Sequence, residues 1–91
     1  MNALNVMDCF LGGPWDGVKW SSGAQVNFPR FVGREYIEDN GVRTAVYEFV
    51  GNRDGAGCVE RMYRLFETMT SAEARVFLAE HQGLTSFAQL R

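Results

Sequence analysis

The sequence predicts an α+β fold, a mostly antiparallel β-sheet of about five strands built from hairpins and packed by one C-terminal α-helix. Three observations predict it. Short apolar runs with strand periodicity fill most of the chain, separated by turn-forming groups of which Gly12-Gly13-Pro14-Trp15-Asp16-Gly17 and Asn40-Gly41 are the strongest. Near the end, Thr70-Ser71-Ala72-Glu73 has the spacing of a capping box and opens a stretch of helical periodicity. The hydrophobic share of 46% and aromatic share of 13% are enough for one core, and 91 residues suit a single domain, 1–91, rather than two. No repeat, linker or low-complexity tract divides it.

The first strand runs from Leu4 to Leu11. Val6, Asp8 and Phe10 share one face and Met7, Cys9 and Leu11 the other, so a strand apolar on much of both faces belongs in the interior of the sheet. Gly12 and Gly13 allow backbone angles closed to other residues, Pro14 fixes its own φ and Asp16-Gly17 is a turn pair, so the chain reverses there. Val18-Lys19-Trp20 then begins a second strand that Ser21-Ser22-Gly23 makes short or bulged. From Ala24 to Val32 the run is interrupted by Pro29, which lacks a ladder donor, and it reads as an edge strand or a crossing segment ended by Gly33.

Arg34 to Asp39 and Val42 to Val50 flank Asn40-Gly41, which suits a type I′ hairpin. A two-residue loop pairs Glu38 with Arg43 and Tyr36 with Ala45. Tyr36, Ala45, Tyr47 and Phe49 then gather on one face, while Ile37, Val46 and Val50, among Glu35, Thr44 and Glu48, turn toward water. Gly51 to Gly57 reads as a flexible connection. Cys58 to Met69 reads as a long interior strand with Val59, Tyr63, Leu65 and Met69 on one side, Cys58, Met62 and Phe66 on the other. The helix presents Ala74, Phe77, Leu78 and His81 along one stripe and stops near Gly83; Thr85 to Leu90 forms a further short turn with Phe87 and Leu90 as its contacts.

Composition excludes several classes of function. The net charge is −2, from 9 basic and 11 acidic residues scattered singly, so there is neither a basic stripe for phosphates nor an acidic block. Eight of the basic residues are Arg, which a GC-rich genome explains as well as a need for forked donors. Cys9 and Cys58 have no C-x-x-C spacing and the N-terminal residues show no basic and apolar leader, which together point to a reduced, cytoplasmic protein. No run approaches the roughly 18 apolar residues of a membrane span.

Candidate chemistry is sparse. The glycine-rich segment Gly51 to Gly57 could cradle an anion with Arg53 as charge partner, but it lacks the Lys-Ser/Thr ending of a P-loop, and a plain connecting loop is the preferred reading. A small enzyme or ligand-binding domain would have to use His81 with Cys9 or Cys58; a buried thiol and a helix-end histidine explain these residues without catalysis. One His and two distant Cys provide no metal-ligand spacing, and no cofactor motif is present. A nucleic-acid-binding accessory protein could use Arg30, Arg34, Arg43, Arg61 and Arg64 with Trp20, Phe31, Tyr36 and Tyr63 as stacking surfaces, but interleaved glutamates cancel most of that field. Protein binding asks least of the sequence, since surplus aromatics serve as interface anchors. Its candidate residues are Trp15, Asp16, Trp20, Tyr36 and Arg53. Self-association is a further expectation, through an edge near Pro29 and the hairpin face around Val46.

At Gly12-Gly13-Pro14-Trp15-Asp16-Gly17, preceded by Cys9-Phe10-Leu11, the chain resembles small phage and prophage proteins that carry Gly-Gly-Pro-x-Asp-Gly near the N-terminus and a tyrosine-rich hairpin later. The resemblance covers well under half the chain. It implies a virus-encoded accessory protein acting in a bacterial host cell, for which the expected activity is non-enzymatic binding to a host protein. Inhibition of a host defence complex, in the manner of an anti-CRISPR protein, is the use expected of it.

Overall fold

The computed structural model describes residues 5–23, 29–39, 41–55 and 57–82. Within them lie five strands, β1 (Asn5–Leu11), β2 (Lys19–Gly23), β3 (Phe31–Glu38), β4 (Gly41–Gly55) and β5 (Cys58–Thr70), followed by one helix, α1 (Ser71–Gln82). The sheet order is β2-β1-β5-β4-β3. All pairings are antiparallel except that of β1 with β5, which is parallel. The expected α+β architecture is therefore present, with β1 and β5 in the interior as their two-sided apolar patterns require. The segment 24–28 and the turn expected from Thr85 to Leu90 lie outside the described residues.

Each element follows from its local chemistry. Gly13-Pro14-Trp15 forms a single 3₁₀ turn between β1 and β2, and the reversal is closed by Gly17 N–H donating to the Phe10 carbonyl at 3.0 Å. Gly13 has φ +69°, and a Cβ there would lie 2.9 Å from Leu65 Cδ2 and 3.0 Å from Tyr47 Oη, so glycine is required on both conformational and steric grounds. The capping box at α1 is complete: Glu73 N–H donates to Thr70 Oγ1 at 3.1 Å, and Thr70 N–H donates to Glu73 Oε1 at 3.0 Å.

Five expectations need correction. In the β3–β4 hairpin Tyr36 pairs with Arg43 and Glu38 with Gly41, a register two residues from the expected one. The slip preserves every side chain's face and sets Arg34 opposite Ala45, a small neighbour that leaves room for a buried guanidinium. Gly33 does not end the segment around Pro29 but lies buried inside β3, opposite Val46. The face carrying Val46 is not turned to water, because α1 covers Val46 and Thr44 completely. It leaves Ile37 and Val50 exposed beyond its reach, so the exposed apolar surface of this face lies at its margins rather than at Val46. Gly51 to Gly55 is not a loop but the end of β4, paired through Arg53↔Glu60 and Gly55↔Cys58. Finally, Met69 lies beneath α1 rather than beside Tyr63 and Leu65, because the extra residue Phe66 at a bulge in β5 reverses the side-chain alternation.

Irregularities in the β4–β5 ladder, between Val46 and Tyr47 and between Phe49 and Gly51, accompany a strong curl of the sheet. The curl brings together elements that are not neighbours in the strand order. The Trp15 indole donates to the Glu35 carbonyl at 3.0 Å, and Arg34 of β3 lies 5.9 Å from the ring of Trp20 on β2. On the concave side Phe10, Val32, Ala45, Tyr47 and Tyr63 form one core cluster. On the convex side Phe31, Val46, Met69, Ala74 and Leu78 form another, beneath α1.

Candidate functional site

Two regions hold the chemistry of this molecule, one closed and one open. The closed one is a charged centre on the concave face. Asp8 on β1 pairs directly with Arg61 on β5, and Arg61 Nε donates to Asp8 Oδ1 at 2.7 Å. From the far side of the curl, Arg34 brings its Nη2 to 3.5 Å from Asp8 Oδ2. All three residues are buried, so two guanidiniums share one carboxylate out of water. Burial pushes the Arg34 guanidinium below its ordinary pKa, and nearby Asp8 opposes that shift.

Aromatic rings supply what the carboxylate does not. The Arg34 guanidinium carbon lies 5.0 Å from the Phe10 ring, 5.6 Å from Trp15 and 5.9 Å from Trp20, where ring faces attract a cation. Trp15 is locked above this cage. Its backbone N–H donates to Tyr47 Oη at 3.0 Å, the same hydroxyl donates to the Gly12 carbonyl at 2.7 Å, and its ring packs edge-on against Phe10. Burial raises both tyrosines above their ordinary pKa, Tyr63 to about 12, so both remain neutral donors.

The residues expected to bind a protein thus have varied surroundings. Trp15 is half-buried and hydrogen-bonded at both ends. Asp16 is exposed, its Oδ1 accepting the Gly12 N–H at 2.6 Å across the turn. Trp20 stays 42% exposed at the rim of the cage, and Tyr36 packs at the margin of the concave core. Arg53 is exposed but committed, with Nη2 at 2.6 Å and Nε at 2.8 Å from Glu60 Oε1, while Lys19 Nζ takes Oε2 at 3.0 Å. Hydrogen bonds from Arg53 and then Lys19 hold the Glu60 carboxyl below its ordinary pKa. Structure brings Trp15 and Trp20 together, with ring centroids 5.7 Å apart, and leaves Arg53 in the separate Glu60 cluster on the opposite face.

The nucleophile and basic-surface candidates are dispersed. Cys9 is buried between Lys19 of β2 and Met62 of β5, and burial followed by the nearby Glu60 charge raises its thiol pKa. His81 stacks on Phe77 at the far end of α1, with its Nδ1 2.9 Å from the Phe77 carbonyl oxygen. Of the five arginines considered for nucleic acid, Arg34 and Arg61 are buried, and Arg30 and Arg43 pair with Glu48 and Glu38. Among the described residues no group of His, Cys, Asp and Glu is placed to hold a metal ion, and no helix is long and apolar enough to cross a membrane.

The open region was not evident from sequence. β1 pairs with β5 only as far as Leu11↔Arg64, whereas β5 continues to Thr70. Past Arg64, β5 and the helix it leads into enclose a groove of about 460 Å³ whose lining includes Glu67, Met69, Glu73, Val76, Phe77 and Glu80, with Arg43 at its end. A smaller hollow of about 270 Å³ continues past Arg43 to Val42 and Glu38. Val76 is 57% exposed there and Phe66, which packs against Phe77, is 48% exposed. The signal that could have found it is a count of partners: a strand as long as β5 outruns a first strand that must turn at Gly12.

The chain is thus an α+β protein with a curled, mixed sheet, an enclosed ionic centre and an acidic groove beside α1. Compared with known proteins, it matches no family model, no curated protein and no solved structure.

Proposed function

We propose that this protein acts by docking on another protein and catalyses no reaction of its own. The observation that carries the reading is the groove between β5 and α1. It combines exposed apolar side chains with a rim of carboxylates, while the strongest charges elsewhere are satisfied within the fold. Interfaces draw their affinity from apolar side chains desolvated at the centre of a patch, with polar groups at the rim setting the partner. The separation of Cys9 from His81 and the burial that raises its thiol pKa support the non-catalytic part, since the thiolate is the nucleophile and neither a base nor a lowered pKa favours it there.

The setting we propose is a bacterial cytoplasm, where the protein serves a phage or prophage by inhibiting a host defence complex. That part rests on the Gly12 to Gly17 motif alone. The test is affinity capture from bacterial lysate followed by gel filtration of the eluate. A stoichiometric complex that survives the column is the expected outcome. Recovery of no stoichiometric partner, together with measurable turnover by the pure protein, would overturn the reading. Retardation of DNA or RNA at low salt that falls steeply as salt rises would replace it with nucleic-acid binding.

A further inference from the structure

We propose that the groove receives an extended segment of a partner protein in which basic and apolar residues alternate, added as a strand to the open edge of β5. The inference rests on the docking reading and names its site and the chemistry of its occupant.

The backbone supplies the first argument. Along Leu65 to Thr70, β5 is bonded to β4 on one side, but its β1 side has no strand partner among the described residues. Six residues of strand span about 20 Å, enough for a short peptide to form a ladder. β1 leaves that line because Gly12 turns the chain across the concave face, where Gly12 and Gly13 pack over Leu65. A guest strand would continue the course β1 abandons. The edge of β3 is a poorer template, since its Glu35 carbonyl already accepts the Trp15 indole.

The side chains supply the second argument. A strand beside β5 alternates its side chains between two faces, one of them toward α1. There Met69, Phe77 and the exposed Val76 form an apolar wall. Glu67, Glu73 and Glu80 stand around it, and the one cation among the described residues of the lining, Arg43, leans to Glu38 at 3.5 Å. Hydrogen bonds from the Thr70 backbone and side chain hold the Glu73 carboxyl below its ordinary pKa, so its charge persists into mild acid. A partner with apolar side chains for the wall and Lys or Arg for the rim fits both features; the phosphates of a nucleic acid do not fit the rim.

The test is a backbone-amide NMR titration of the full chain with two probes, acetyl-Lys-Val-Lys-Val-Lys-Val-amide and its counterpart with Glu in place of Lys. The account expects the basic probe to shift amides of residues 65–70 and 73–80 and the acidic probe to shift none. The double variant Glu67→Lys/Glu80→Lys, whose undisturbed amide spectrum would show that it is folded, should bind the basic probe about tenfold more weakly. Equal binding of both probes, shifts centred on Trp15 and Trp20, no shift at all, or unchanged binding by the double variant would each overturn the proposal. Shifts of 65–70 that grow with protein concentration without any probe would assign the edge to a second copy of this chain and overturn it also. A lysate partner captured equally by wild type and double variant would leave the docking reading standing and remove the groove from it.

Discussion

The two halves of β5 have opposite fates. From Cys58 to Arg64 the strand has a neighbour on both sides and carries Arg61 and Tyr63 into a face closed by aromatic rings. From Leu65 to Thr70 it has β4 on one side only, and Glu67 on it faces water. Glu60 and Arg61 in the first half are held by ion pairs within the chain, whereas Glu67, the charge of the second half, stands exposed beside the groove. The bulge at Phe66 marks the boundary, because it reverses the faces and brings Met69 under α1.

The largest effect is expected at Asp8. Asp8→Ala leaves Arg61 and Arg34 buried without a carboxylate and should lower unfolding free energy by about 3–5 kcal/mol in urea titrations. A loss under about 1 kcal/mol would mean that the remaining contacts of the two guanidiniums, the rings around Arg34 among them, suffice without the carboxylate. Tyr47→Phe removes one hydroxyl that both donates to Gly12 and accepts from Trp15, with an expected loss of about 1–3 kcal/mol. Chemical shifts of the Gly12 to Gly17 turn should move in the same variant, and an unmoved turn would show that it is held by other contacts. Thr70→Ala, at the junction of the open half with α1, should cost about 1 kcal/mol and fray the first turn of the helix in hydrogen exchange.

The smallest effect is expected at Glu60, which is bridged by two exposed cations. Its folded pKa is depressed below the ordinary value of 4.5, so its contribution to stability is full above that pH and disappears as pH falls through the depressed value. Glu60→Gln should therefore flatten the acid side of the stability profile below about pH 4.5 and leave the slope near neutrality unchanged. A variant profile parallel to wild type would show that the cluster adds nothing to folding.

Much of this architecture was legible in the sequence. The capping box at Thr70, the reversal at Gly12 to Gly17 and the shared face of Tyr36, Ala45, Tyr47 and Phe49 all follow from local spacing, and each is present. The hairpin register was not legible, because Asn40-Gly41 suits a tight turn in isolation while the packing of Arg34 against Ala45 is a tertiary matter. Gly51 to Gly57 carried the composition of a loop, yet pairing with the start of β5 extends the strand to Gly55.

The ionic centre left only a faint mark. Asp8 interrupts the apolar run of the first strand and Arg61 the apolar face of Val59, Tyr63 and Leu65, and a charge in an interior strand implies a partner. What the sequence could not supply was the parallel pairing that sets those two opposite each other, or the curl that delivers Arg34. The groove was hidden for the same reason, since it arises from unequal strand lengths in a sheet whose order is not sequential.

The concave face around Trp15 is assigned to stability, and the groove is proposed to serve recognition. Urea unfolding of Trp15→Ala beside Glu67→Lys/Glu80→Lys tests this division most directly. The account predicts a loss of about 3 kcal/mol for Trp15→Ala, whose ring bridges Phe10, Glu35 and Arg34, and less than about 0.5 kcal/mol for the groove variant. An unchanged midpoint for Trp15→Ala together with a large loss for the groove variant would contradict it and reverse the two roles.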